Sequence, residues 1–212
     1  LKSKTDDLPK ILFKRFAREE FARKFLTGEI RFGSLRYFID LEKSKNHSSG
    51  DKYEGGRVSD ASGATMSIQD PATGEWRPIK FINAEFFHSL NNVDQYFISC
   101  FSHTICQQQE KYGDYLVTII DPESLYDRIQ QRFKKPSHIS FKRVIYYDRL
   151  KADDPFSEID DLCFLKENKH SSDFEFRLLI GPLQNEGKDV RFYNIGSIDD
   201  IAFLSFRGKR IS

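Results

Sequence analysis

The chain has 212 residues, 39% of them apolar, enough to bury one substantial core, so a single domain spanning 1–212 is the simplest expectation. With 33 basic and 32 acidic side chains its net charge is +1, which excludes a global pull toward nucleic acid or anionic membrane and confines any basic groove to a local patch. Three cysteines in no dense framework exclude a disulfide scaffold and fit a reduced, cytoplasmic setting, and no apolar run approaches the ~18 residues of a membrane span.

Leu1 to Pro9 is short and polar, so no intact signal peptide is expected, and the missing initiator Met suggests a chain without its first few residues. Lys10 to Phe16 reads as a first strand with two cations, Lys14 and Arg15, near its end. Arg18 to Thr27 follows as an amphipathic helix with Phe21, Ala22, Phe25 and Leu26 inward, stopped by Gly28. Glu29 to Ser34 is a short strand turning at Gly33. From about 40 to 84 the pattern becomes an insertion: a polar loop at Lys43–Gly50, then a hairpin whose strands Thr65–Gln69 and Glu75–Phe81 flank the turn Asp70–Gly74. Such an insertion is expected to cover a cleft.

Gln95 to Ser102 predicts a strand whose apolar run stops at small hydroxyls, where a ligand can approach closely. Tyr115 to Ile120 is another strand, and Asp121 caps a helix that Pro122 opens and that runs to about Phe133. Phe141 to Tyr147 reads as a strand and Phe156 to Leu165 as a helix. In Ser172 to Ile180, period two puts Phe174, Phe176, Leu178 and Ile180 on one face and Asp173, Glu175 and Arg177 on the other. Arg177 stands two residues from Glu175, roughly 7 Å along a strand, and can orient or neutralise its charge. Val190–Ile195 and Ile201–Phe206 close the chain as strands.

Several chemistries find little support. Cys100, His103 and Cys106 have a C-x2-H-x2-C spacing but no evident fourth ligand, so no metal site is assigned and Cys100 is read as core. No G-x-S-x-G elbow, Rossmann glycine motif or P-loop is present. Glu175-Phe176-Arg177 resembles the E-x-K of metal-dependent nucleases, but Arg substitutes poorly for that lysine.

The order of parts is similar to that of the ADP-ribosyltransferase fold, and resembles most a bacterial family of that superfamily. Its pieces here are Leu12-Phe13-Lys14-Arg15, Gly28-Glu29-Ile30-Arg31-Phe32-Gly33-Ser34, Asp51-Lys52-Tyr53-Glu54, Ser99-Cys100-Phe101-Ser102 and Asp173-Phe174-Glu175-Phe176-Arg177. The resemblance implies an α+β fold with a split, mainly antiparallel sheet and a central cleft, and transfer of ADP-ribose from NAD, a substrate, to nucleic acid or protein. It also implies a toxin or phage-defence effector with an inhibitor or antitoxin partner. By the order of motifs it places Glu175 as the catalytic acid, Lys14 or Arg15 on the diphosphate, and Ser99 and Ser102 on the nicotinamide amide or ribose. Phe101 or Tyr37 would stack on a ring. Cleavage of the bond to nicotinamide passes through an oxocarbenium-like sugar, which an anion in a dry site stabilises. The alternatives are a non-catalytic nucleotide- or nucleic-acid-binding module of the same fold and a metal-dependent nuclease.

Overall fold

The five residues of Leu12–Phe16 (β1) lie antiparallel to Tyr115–Ile119 (β8) over their whole length, from Leu12 opposite Ile119 to Phe16 opposite Tyr115. They belong to a computed structural model that describes residues 8–44, 52–133, 138–148, 159–184, 187 and 189–211. After β1 come Glu19–Leu26 (α1), Glu29–Ser34 (β2) and Leu35–Lys43 (α2). The insertion holds two hairpins, one inside the other: Gly56–Asp60 (β3) pairs Glu85–Ser89 (β6), and Thr65–Gln69 (β4) pairs Trp76–Lys80 (β5). Phe97–Ser102 (β7) and β8 lead to Pro122–Arg132 (α3), then His138–Arg143 (β9), Ile145–Tyr147 (β10) and Leu165–Glu167 (β11). Glu175–Gly181 (β12), Val190–Asn194 (β13), Ala202–Phe206 (β14) and Lys209–Ile211 (β15) complete the α+β architecture.

Nine of these strands make one open sheet in which every pairing is antiparallel. β12 runs beside all of β7, from Ile180 opposite Phe97 to Glu175 opposite Ser102. The other edge of β7 is shared. β2 takes one end, with Ser34 opposite Phe97 and Gly33 opposite Ile98, and β1 takes the other, with Phe13 opposite Ser102. Ser99, Cys100 and Phe101 lie between the two, so the sheet forks there and a cleft opens.

The β7–β12 pair is buried on both faces. Phe97, Phe101, Phe176, Leu178 and Ile180 join a core with Ala22 and Phe25 of α1 and Leu125, Tyr126 and Ile129 of α3. Ile98 and Leu179 join a second core with Leu35 and Ile39 of α2 and with Leu162–Leu165. The helix caps follow the sequence: Asp121 Oδ1 accepts from the Ser124 N–H, with Pro122 in the first turn.

Several elements differ from expectation. α2 occupies Leu35–Lys43, including residues expected to begin a polar loop, because Leu35 and Ile39 lie one turn apart and face the second core. Residues 45–50 of that loop, Asp51, and 156–158 of the expected helix lie outside the described residues. From Ile159 to Phe164 the chain is a 3-10 turn, and Leu165 already begins β11. Val144 separates β9 from β10. The β12 strand starts at Glu175, not Ser172. Asn168–Asp173 is a 3-10 turn and Phe174 has φ 46°, a left-handed turn that ends the alternation. Phe21 of α1 is exposed, while Ala22 and Phe25 carry the contact.

Gly28 sits at φ 95° after α1, and a Cβ there would lie 1.9 Å from the Gly196 carbonyl oxygen, whereas Gly63 at φ 85° has nothing within 4 Å. Gly63→Ala is expected to cost about 1–2 kcal/mol in urea unfolding, the strain of a left-handed residue alone, and Gly28→Ala clearly more. Equal losses would mean that the approach of the Gly196 backbone is not a constraint.

Candidate functional site

At the fork, the edge of β7 between β1 and β2 has no strand partner, and the Lys14 side chain fills the gap. Its Nζ donates to the Cys100 carbonyl (2.6 Å) and to Ser99 Oγ (3.1 Å), and lies 4.6 Å from the centre of the Phe101 ring. Burial among these groups and Phe25 lowers the Lys14 ammonium to about 8.

The cleft floor is a buried ion network. Arg177 is fully buried. Its Nε donates to Glu175 Oε1 (2.8 Å), and its Nη1 donates to Glu54 Oε1 (2.5 Å) and to the Cys163 carbonyl. Lys166, from β11, donates to Glu175 Oε2 (2.8 Å) and stands 3.5 Å from Asp173 Oδ2. The Tyr112 hydroxyl donates to Asp173 Oδ1 (3.0 Å), and Lys111 Nζ lies 3.5 Å from the same oxygen. Burial alone would raise the Glu175 carboxyl, but Arg177 and Lys166 outweigh it and hold the group far below the usual carboxylate range. Burial would lower Lys166 and Arg177 in turn, and the carboxylates of Glu175 and Glu54 raise both instead. Glu175 is therefore an ionised carboxylate at neutral pH, gripped on both oxygens.

The cleft above this floor has a volume of about 280 Å³, near the lower end of small-molecule sites. Glu175, Lys14, Arg15, Ser99, Phe101 and Ser102 all line it, although they come from three strands far apart in sequence. Tyr37 does not. It follows β2 in α2 and stacks under the Arg31 guanidinium, 5.1 Å from ring centre to charge, so the ring expected in the cleft instead supports a cation of its wall. Phe13, Phe38 and Tyr112 are the aromatics beside Phe101 that line it.

Roles within the cleft also differ from the expected ones. The Ser102 hydroxyl points into the protein, donating to the Thr104 carbonyl (2.6 Å) and accepting from Gln109 Nε2 (2.8 Å). Phe101 belongs to the first core as well as to the cleft wall. Cys100 is not purely core: it lines the cleft beside Glu175, and burial first, then that carboxylate, pushes its thiol up. The other members of the C-x2-H-x2-C spacing turn elsewhere, Cys106 to the Ser172 carbonyl and His103 to Thr104. Of the insertion, Glu54 reaches the cleft, while β4 and β5 supply no lining residue and so do not form its cover.

Glu54 was singled out only within the Asp51-Lys52-Tyr53-Glu54 motif, without a role, and Lys166 was not legible as a site residue from local pattern. The available signal was a lysine ending the apolar run Leu162-Cys163-Phe164-Leu165, a position that is costly for a charge unless a partner waits. Arg15, through Nη1 to the Gly113 carbonyl, and Arg31 make no ion pair among the described residues, so the rim offers positive charge that no carboxylate neutralises. No disulfide joins the three cysteines, and no helix among the described residues is long and apolar enough to cross a membrane. Comparison with protein families, with curated proteins and with solved structures finds no match to this chain.

Glu175→Gln leaves Arg177 and Lys166 buried without their shared counter-charge, and is expected to cost about 3–5 kcal/mol in urea unfolding at pH 7, whereas Arg31→Ala, on the exposed rim, leaves the midpoint unchanged. For Lys14, the folded value of about 8 lies below the ordinary 10.5, so between those pH values the unfolded chain binds more protons and stability rises with pH. Lys14→Met lacks this slope. The stability of the wild type minus that of Lys14→Met should therefore increase from pH 8 to 10 in paired urea titrations, and parallel curves would refute a depressed Lys14.

Proposed function

We propose that the chain is an NAD-dependent ADP-ribosyltransferase of the forked α+β type, acting in the reducing cytoplasm on a nucleic-acid or protein acceptor. The effector role and inhibitor partner implied by the sequence resemblance belong to the same reading. The observation that carries it is one cleft in which an ionised Glu175 on the floor faces Lys14, Arg15 and Arg31, the last two without a carboxylate partner among the described residues.

An acid held ionised in a water-poor site can accept a ribose hydroxyl and stabilise the positive charge that develops as the bond to nicotinamide breaks. Arg177 and Lys166 fix the carboxylate in place, each through one oxygen, and leave it further lone pairs for a substrate. Arg15 and Arg31 suit a diphosphate. Phe13 and Tyr112 offer flat faces to a ring. A volume of about 280 Å³ suits one ring-bearing half of a dinucleotide, with the remainder along the rim.

A second reading, a nucleotide-binding module without catalysis, is favoured by the 4% exposure of Glu175 and the engagement of both its oxygens. Nicotinamide release separates the two. The enzyme reading expects the chain to liberate nicotinamide from NAD by chromatography, with Glu175→Gln lowering the rate about 10²–10³-fold and Arg31→Ala weakening NAD binding about tenfold at unchanged stability. NAD binding by the wild type without nicotinamide release would leave the binding module, and polynucleotide cleavage that needs added divalent metal and ignores NAD would point to a nuclease.

A further inference from the structure

Strand register carries the row of residues that ends on Glu175 across the sheet. Glu175 stands opposite Ser102, Ser102 opposite Phe13, Phe13 opposite Thr118, and Thr118 opposite Phe203. The next row on the same face runs Arg15, Leu116, Ser205, Arg210. Neighbouring strands lie about 4.8 Å apart, so Phe203 is roughly 19 Å from Glu175 and Arg210 roughly 14 Å from Arg15. Phe13 and Arg15 belong to the cleft wall, and Phe203 and Arg210 continue that surface beyond it.

No α-helix among the described residues packs on this part of the face. α1 and α3 lie on its reverse, against Leu12, Val117 and Leu204. α2 covers the β7–β12 end through Ile98 and Leu179, and the second core takes no residue from β1, β8, β14 or β15. Leu116, Thr118 and Ser205 form a buried floor, Phe13, Arg15 and Phe203 stand half-buried beside them, and Arg210 is exposed.

Charge and ring faces narrow the occupant. Arg15 and Arg210 make no ion pair among the described residues, and Asp114, just before Leu116 on this face, is held by Arg207 (3.0 Å). Three guanidiniums against one carboxylate leave a net +2. The Arg210 guanidinium lies over the Phe203 ring, 4.9 Å from its centre. A positive strip with ring and guanidinium planes on an antiparallel sheet suits unpaired bases, which stack on those planes while their phosphates take the charge. A duplex keeps its bases inside, and an acidic peptide uses the charge alone.

We propose that the outer face of β1, β8, β14 and β15 docks a single-stranded polynucleotide and leads it along the row to Glu175. As the acceptor of ADP-ribose this strand rests on the transferase reading; as a bound ligand it does not.

The test is fluorescence anisotropy of a labelled single strand of about 12 nucleotides in about 50 mM salt, without NAD. The wild type is expected to bind with a Kd below about 100 µM. Phe203→Leu, which keeps the apolar bulk and removes the ring, and Arg210→Ala should each weaken binding about tenfold, and Arg210→Ala should also flatten the slope of log Kd against log salt by roughly 0.7, the share of one phosphate contact. Neither residue lines the cleft, so thermal melts and nicotinamide release without polymer should match the wild type. Binding without nicotinamide release would uphold this surface and remove the transferase reading. A Kd above about 100 µM, a duplex or polyglutamate of similar length held as tightly as the single strand, or affinity unmoved by either variant would overturn the proposal.

Discussion

Arg177 is the constraint on which the rest of the structure depends. A guanidinium with no exposure to water is tolerable only where its donors are met, and here they meet Glu175 on its own strand, Glu54 ahead of β3 and the Cys163 carbonyl in the 159–164 turn. One side chain thus pins the root of the insertion and the approach to β11 against the central strand. Buried ion pairs contribute little net stability compared with apolar packing, but losing one partner leaves a charge stranded, so the network fixes arrangement more than it adds stability. Lys166 extends it to Asp173, and Lys111 and Tyr112 extend it to the surface.

The cleft itself is a consequence of strand pairing. Because β12 occupies one full edge of β7 while β1 and β2 each take an end of the other, backbone groups near Cys100 are left without a ladder. A lysine answers this need in the way a strand would, by donating to the Cys100 carbonyl, and its burial there lowers its proton affinity. The same gap that requires Lys14 admits a ligand, so the structural and functional accounts of this residue meet at one atom.

Much of the scaffold was legible in the chain. Short apolar segments marked β1, β2, β7, β8, β13 and β14, and the turn residues Asp70-Pro71-Ala72-Thr73-Gly74 marked the β4–β5 hairpin. The capped helix α3 followed from Asp121 and Pro122. The acid, the two cations of β1 and the residues of β7 were singled out before their meeting was visible, and they do line one cleft. Local pattern failed where a short segment changes state without a breaker, as at Leu35, and where alternation runs on through a turn, as at Phe174. Nor did it show that Glu175 and Arg177 are buried, since alternation describes which side a residue takes and not what covers that side.

By itself the sequence determined the strand and helix periods, the caps and turns, the α+β class and the presence of one late acid with an arginine beside it, because these depend on neighbours within a few residues. Only the tertiary structure decided that Lys166 and Glu54 close around that pair, that Tyr37 braces Arg31 outside the cleft, and that Ser102 turns inward. These outcomes rest on contacts between segments as many as 123 residues apart, where burial and the pairing of opposite charges, not local propensity, set the lowest free energy.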